Sequence, residues 1–279
     1  MEGGPLAARI RAEVAEEVRE LGQLVLATVQ VGEDEASTIY LRLKHKAAEQ
    51  AGIGSQNHKL LGDVSEDELL AFVAELNADD AVDGVLVQLP LPQHVDEARI
   101  IAAVDPVKDV DGFHPFNAGQ LYLGRPTHVP ATPLGIMALL AEHRIRLDGA
   151  RAVVIGRSDI VGKPVALLLL GANATVTVCH SHTDDLARQT LEADVLVAAV
   201  GLPGLVSADM VKQGAAVVDV GISRTEAGVV GDVDPGVAAV AGHLTPVPGG
   251  VGPMTIAMLL RNTVRAASYR RGLLAFPLG

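Results

Sequence analysis

A chain of 279 residues, 49% hydrophobic and 20% charged, reads as globular and is long enough for one large core or two ordinary ones. Its formal net charge of -12 sets the mean field against nucleic acid and anionic membrane surfaces, so an anionic ligand has to be held by local groups. The one cysteine, Cys179, excludes an internal disulfide, no Cys/His cluster has zinc spacing, and the longest apolar run, residues 165–170, is far too short to span a bilayer. The N-terminus lacks a basic region followed by an apolar stretch, and the expectation is a cytoplasmic protein without a metal site.

Along the chain, residues 5–21 place Leu6, Ile10, Val14 and Val18 between charges, which predicts an amphipathic helix packing on a sheet. A strand over Leu24 to Val31 follows, then the acid-rich turn V-G-E-D-E-A, whose carboxylates favour the start of a helix carrying S-T-I-Y-L-R-L-K-H-K, Ser37 to Lys46. Tyr40 and Lys44 are four apart and share a face of that helix. Ile39, Leu43 and Ala47 are its expected buried stripe and Gly52 its C-terminal cap, which puts Lys44 at the edge of the core. A lysine there either snorkels to solvent or loses hydration; in the second case its pKa falls and it can exchange protons with a substrate.

A second strand is expected near His58 to Leu61, a helix over Ser65 to Asn77 opening on the capping pattern S-E-D-E, and a third strand over Gly84 to Leu89. This alternation predicts a mostly parallel sheet. The third strand ends in V-Q-L-P-L-P, where Gln88 is either an edge residue satisfied by backbone or a polar group facing the crevice beyond the strand ends, where ligands of such sheets bind. Pro106 to Asn117 is too rich in Pro, Gly and Asp for regular structure. Its Asp109 and Asp111 alternate, one inward and one outward, as turn-capping groups or as a pair with weak metal character.

Thr132 is the expected N-cap, with Pro133 the first residue, of a helix leading into a second domain. Residues 151–156 read as a buried strand running through G-R-S-D-I-V-G-K-P into the apolar helix V-A-L-L-L-L, and a glycine turn between strand and helix is an anion site by geometry. The glycines are Gly156 and Gly162, with Ser158 standing where a second glycine is usual in a dinucleotide fingerprint. The following strand, Thr175 to Cys179, ends in H-S-H-T without the acid that holds the ribose of NAD; Ser181 with Arg157 suits a 2'-phosphate instead, hence NADP, unless Arg157 is a solvated loop residue. A helix over Thr183 to Thr190 and strands over Val195 to Val200 and Ala216 to Val220 follow. D-V-G-I-S then brings backbone close to a ring at Gly221. The Pro/Gly loop Thr245 to Thr255 is either a hinge between domains or a wall of the site, and its Pro253 suits the start of a final helix reaching about Ala267.

The ordered runs V-G-E-D-E-A-S-T-I-Y-L-R-L-K-H-K, V-Q-L-P-L-P, K-D-V-D-G-F-H-P-F-N-A-G, G-R-S-D-I-V-G-K-P, D-V-G-I and T-P-V-P-G-G-V-G-P-M-T resemble one family, the bifunctional methylenetetrahydrofolate dehydrogenase/methenyltetrahydrofolate cyclohydrolases. The resemblance implies an α/β fold of two domains joined by long helices with a cleft between: a folate-binding domain over 1–130, to which a helix over 253–279 returns, and a Rossmann-like NADP-binding domain over 131–252. It implies a homodimer acting in one-carbon metabolism, oxidising 5,10-methylenetetrahydrofolate with NADP and hydrolysing the methenyl product to 10-formyltetrahydrofolate. By the family's motif Lys44 is the catalytic lysine, Tyr40 packs on the folate, Gln88 hydrogen-bonds the lysine and Asp111 holds the polar edge of the pterin. Leu89 and Pro90, and Pro248, Gly249, Gly250, Val251 and Gly252, line the substrate site. Gly156, Arg157, Ser158, Ser181 and Ile222 carry over as NADP contacts. Two departures stand out: Ala131 replaces a cysteine common in relatives, and His182 stands where a lysine near the 2'-phosphate is frequent. The alternatives are another two-domain dehydrogenase resembling shikimate dehydrogenase, and a nucleotide-binding sensor without catalysis.

Overall fold

The computed structural model describes residues 1–226 and 228–277, apart from the side chain of Ala36. The chain divides into two compact units, one made of Ala8–Ala131 with the chain from Ile256 onward, the other of Met1–Ala7 with Thr132–Thr255. All three crossings, at 7/8, 131/132 and 255/256, lie inside helices near their N-terminal ends.

The first unit opens with α1, Gly4–Leu21, which buries Ile10, Val14 and Val18 on one face. β1, Leu24–Val31, is buried at every position because it is the central strand and is covered on both faces. α2, Glu35–Gln50, follows and packs on β1 and on β2, Ile53–Leu60. α3, Glu66–Ala78, begins on a capping box between Ser65 and Glu68, and β3, Gly84–Val87, completes a parallel sheet of order β2-β1-β3. The register runs from Leu24 opposite Ile53 to Val31 opposite Leu60, and from Leu26 opposite Gly84 to Val29 opposite Val87. Val29, Val73, Val85 and Ile100 centre the core on one face of this sheet.

Two short helices follow, α4 over Glu97–Ala103 and α5 over Pro115–Tyr122, so the segment expected to be irregular is irregular only as far as Pro115, which takes the first helical position behind the His114 cap. β2 begins five residues before its expected start, since G-S-Q-N-H-K is too polar to read as a strand; as the edge strand it is only partly buried. On α2 the expected stripe is displaced. Leu43 is 47% exposed and Ile39 only partly buried, whereas Ser37, Leu41, Lys44, Ala47 and Ala48 are buried. The small side chains of Ala47 and Ala48, one turn on from Lys44, let that end of the helix approach the sheet closely.

α6, Ala131–Glu142, begins two residues earlier than expected, so Thr132 lies inside the first turn; its hydroxyl meets that of Thr255 at 2.8 Å instead of capping. Then come β4 (Arg151–Ile155), α7 (Gly162–Gly171), β5 (Thr175–Cys179), α8 (Leu186–Thr190), β6 (Val195–Ala198) and β7 (Ala216–Asp219). The hairpin β8 (Ser223–Thr225) and β9 (Gly228–Val230) and the two-residue β10 (His243–Leu244) precede the last helix. A five-stranded parallel sheet of order β10-β7-β6-β4-β5 results, with Val153, Ile155, Leu196 and Val217 in its core. The crossing of the chain from β5 back past β4 to β6 places a topological switch point beyond the carboxyl ends of these strands.

The last helix, α9, spans Val251–Arg270, and Pro253 sits in its first turn, where a missing N–H costs nothing. From Ile256 on it belongs to the first unit, burying Leu260, Val264 and Ala267 there while Asn262 Nδ2 donates to the Val110 and Val129 carbonyls. No helix of the described residues is long and apolar enough to cross a membrane.

A buried lysine at the strand ends and a glycine turn

α2 starts immediately beyond the carboxyl end of β1, and Asp34 fixes that start by accepting from Ser37 N at 2.6 Å. Three helical positions on from Leu41, Lys44 falls on the buried face and is 8% exposed. Its Nζ donates to Gln88 Oε1 at 3.1 Å. Gln88 is the first residue past β3: its backbone N–H donates to Val29 O at 2.8 Å, and its side-chain Nε2 donates to Leu89 O at 2.8 Å. With the amide nitrogen committed to Leu89, the amide oxygen is left facing the lysine. Ser37 Oγ also donates to Leu89 O, at 3.4 Å, and the Leu89–Pro90 peptide is cis.

Burial pushes the Lys44 ammonium below the usual lysine range, partly countered by Asp111. Burial likewise raises the Asp111 carboxyl to about 6, against the pull of Lys44 and with the help of the neighbouring Asp109 charge. Amine and carboxylic acid are thus both displaced toward neutrality, the condition for proton exchange near physiological pH. Tyr40, partly buried, has its phenol pKa raised by desolvation, so it offers an uncharged ring and hydroxyl. Of the two aspartates, Asp109 is the inward one, 5% exposed, and Asp111 keeps part of its surface open. Among the described residues no group of three or more His, Cys, Asp and Glu is arranged to hold a metal.

In the second unit the turn between β4 and α7 is tight. Gly156 has φ +118° and donates to Cys179 O at 2.9 Å; a Cβ there would fall on the Ala199 carbonyl. Ser158 Oγ accepts from Val161 N at 3.2 Å and Gly162 N at 3.3 Å, so this hydroxyl serves the helix start where a fingerprint glycine is usual. Arg157 and Ser181 are both exposed, and Ile222 is 51% exposed beyond β7. A dinucleotide fits such a turn: close-packed backbone beneath, a free cation beside it, and an apolar side chain open to solvent. Pro248 to Gly252 lie in this unit, with Val247–Pro248 cis, Gly250 N donating to Pro246 O at 2.8 Å, and Val251 and Gly252 opening α9.

Several polar residues escaped the sequence reading. Asp219 and Asp232 are buried at the ends of β7 and after β9. Asp232 Oδ2 accepts from Val200 N and Gly201 N at 2.7 and 3.1 Å, and Asp219 Oδ1 accepts from Gly221 N and Asp232 N at 3.1 and 2.8 Å. Burial raises the Asp219 carboxyl to about 6. Acids set in the otherwise apolar runs V-V-D-V-G and V-V-G-D-V were the available signal. His45, its Nε2 2.8 Å from Thr28 Oγ1, lines a polar groove of about 360 Å³ with Gln30, Arg42, Lys46 and Asn57 on another face of α2.

Two family models match. The tetrahydrofolate dehydrogenase/cyclohydrolase catalytic domain covers residues 1–111, and the NAD(P)-binding domain of the same family covers residues 130–271. A bifunctional protein FolD 3 from Rhizorhabdus wittichii is 55% identical over 100% of this chain and 95% of its own length. Among solved structures, the bifunctional FolD methylenetetrahydrofolate dehydrogenase/cyclohydrolase of Campylobacter jejuni is 48% identical with a TM-score of 0.95, over 96% of this chain and 98% of that one. The Trypanosoma brucei enzyme, solved with NADP cofactor and inhibitor, is 40% identical with a TM-score of 0.92, over 99% and 98%. A shikimate dehydrogenase of Thermus thermophilus, 18% identical with a TM-score of 0.53 over 89% of this chain and 99% of that one, shares the fold alone.

Proposed function

Since the chain belongs to the tetrahydrofolate dehydrogenase/cyclohydrolase family, we propose the following division of labour among its residues. It is a bifunctional enzyme that oxidises 5,10-methylenetetrahydrofolate to the methenyl form with NADP and hydrolyses that product to 10-formyltetrahydrofolate. NADP supplies the hydride acceptor. Gly156, Arg157, Ser158, Ser181 and Ile222 hold it, with the exposed Arg157 and Ser181 toward the 2'-phosphate.

Lys44 moves the proton in the hydrolytic step. Water adds to the cationic methenyl carbon and loses one proton to leave a neutral hydroxyl adduct. That hydroxyl then loses its proton as the formyl C=O forms and a C–N bond breaks, and the freed nitrogen gains one, so one proton is released overall. A neutral amine accepts the first proton without repelling the cationic substrate, and burial keeps the amine near that state. Gln88 accepts from Lys44 and aims it, and Asp111 accepts from the N–H edge of the pterin once ionised. Tyr40 packs on the folate, and Leu89, Pro90, Pro248, Gly249, Gly250, Val251 and Gly252 complete the walls. The observation that carries this reading is the 3.1 Å bond from a buried lysine to a glutamine amide oriented by its own backbone neighbour.

The working form is a cytoplasmic homodimer, a reading supported by β5, whose open edge exposes Val178 at 39%. Its folate-binding domain takes in 1–130 with 253–279 and its NADP-binding domain 131–252. The test is spectrophotometric: wild-type protein forms NADPH on addition of 5,10-methylenetetrahydrofolate and bleaches the methenyl absorbance, and Lys44→Ala loses the bleaching. A Lys44→Ala variant hydrolysing the methenyl compound at the wild-type rate removes the lysine from this role.

A further inference from the structure

We propose that Asp109 is a positioning residue for this reaction: its carboxylate clamps the loop that presents Asp111. The inference rests on the reading of Asp111 as the group that holds the pterin edge.

The clamp is made of four donors from the residues just beyond Asp111. Asp109 Oδ1 accepts from Gly112 N at 3.0 Å and Phe113 N at 3.3 Å; Oδ2 accepts from His114 N and from Asn117 Nδ2, both at 2.8 Å. Asn117 is itself fully buried and pinned, its Nδ2 also donating to Pro106 O and its Oδ1 accepting from Thr127 Oγ1. On the other side of Asp111, Val110 O accepts from Asn262 Nδ2 at 2.8 Å, and Lys108 O accepts from Val85 N at 2.7 Å beside β3. Lys108 Nζ donates to the carbonyls of Leu76, Asn77 and Asp79 at the end of α3. Gly112, at φ +72°, has no room for a Cβ against the Val129–Pro130 peptide. Asp111 is therefore the one residue of Lys108 to Gly112 whose side chain is not committed to this scaffold, and the backbone on both sides of it is fixed. A group held this way meets a ligand edge without paying to order its loop.

The charges acting on Asp111 are Lys44 from α2, which lowers its pKa, and Asp109 from its own loop, which raises it. Asp109 in turn acts on His128, whose pKa burial depresses and Asp109 partly restores, with Arg265 lowering it and Asp105 raising it.

The experiment compares Asp109→Asn with wild type and with Asp111→Asn across pH 4.5–8. The asparagine turns one acceptor into a donor facing N–H groups and removes the charge. The expected result is a KM for 5,10-methylenetetrahydrofolate raised about tenfold with the KM for NADP unchanged, and an acid limb of kcat/KM moved down by about half a pH unit or more. A purely structural role lowers stability without moving that limb. A limb and folate KM both within about twofold of wild type overturn the proposal. If Asp111→Asn leaves the folate KM unchanged, it is the reading of Asp111 that fails. Should Asp109→Asn not fold, Asn117→Leu is read in its place: it withdraws one donor and keeps the charge, so a raised folate KM with an unmoved limb supports the clamp, and an unchanged KM overturns it.

Discussion

Lys44 Nζ donates to Gln88 Oε1 over 3.1 Å, tying the buried face of α2 to the first residue beyond β3. The two strands that precede these residues, β1 and β3, are neighbours in register, Val29 opposite Val87, so side chains just past their ends converge. The bond also explains how a lysine tolerates 8% exposure: its ammonium donates to an amide oxygen, a neutral acceptor, which leaves burial free to depress the pKa.

Removing that amine should separate the two activities. Lys44→Ala is expected to lower the rate of methenyl hydrolysis about 10²- to 10⁴-fold, the usual worth of a positioned proton carrier, with NADPH formation reduced less. Parallel assays at 340 nm and at the methenyl band read the two rates from one preparation, and an equal loss in both would place Lys44 in binding alone. A folded-state pKa below the unfolded one means that the buried cation costs stability at every pH below the folded pKa and that this cost vanishes as pH rises past the unfolded value. Lys44→Met is accordingly expected to raise Tm at neutral pH, with the gain shrinking as pH rises toward about 10 and gone above it.

Gln88→Leu leaves the lysine without its acceptor. An unpaired buried donor costs about 1–3 kcal/mol, so a fall in Tm of a few degrees is expected, together with a hydrolytic pH profile displaced toward lower pH as the amine is further discouraged from ionising. Gln88→Glu should displace that profile the opposite way, since a carboxylate at 3.1 Å favours the ammonium. Profiles that move in the same direction in both variants would contradict the assignment.

Asp111 gives a stability prediction with a definite sign. Its folded pKa of about 6 lies above the unfolded carboxylate value, so its contribution is fully present below about pH 4 and is lost as pH rises through 6. Asp111→Asn should therefore be more stable than wild type at pH 7–8, on the order of 3 kcal/mol from the size of the shift, and close to wild type at pH 4. Thermal melts of the two proteins at both pH values check this, and a difference independent of pH would refute it.

For the nucleotide, Arg157→Ala should weaken NADP about tenfold or more while leaving NAD nearly unaffected, because only the 2'-phosphate carries the charge that the guanidinium meets. Steady-state KM values for the two cofactors are the measurement. Equal losses for both would make Arg157 a general contact.

Much of the architecture was legible because its signals are local. β1 and β5 coincide with the apolar runs Leu24 to Val31 and Thr175 to Cys179, and α3 begins where Ser65 and Glu68 spell a capping box. Tyr40, Lys44, Gln88 and Asp111 were all named from the sequence, but chiefly through ordered motifs; spacing alone left each with an ordinary structural explanation. What failed was phase and edge. Of the expected stripe Ile39, Leu43 and Ala47 only Ala47 is buried; that stripe and the observed one, Ser37, Leu41, Lys44 and Ala48, both satisfy a helical period, and only packing on the sheet chooses between them. β2, β8, β9 and β10 were missed in part or whole because short or edge strands bury few residues and so carry little pattern.

By itself the sequence determined where strands and helices alternate, that a glycine turn follows β4, and which residue types are available for proton transfer and phosphate binding. The tertiary structure decided that Lys44 faces inward instead of skirting the core, that Gln88 turns its oxygen to it, and that Asp109 is spent on its own loop while Asp111 remains free. Those outcomes depend on desolvation and on partners far away in the chain, and both exist only once the sheet has brought the ends of β1 and β3 together.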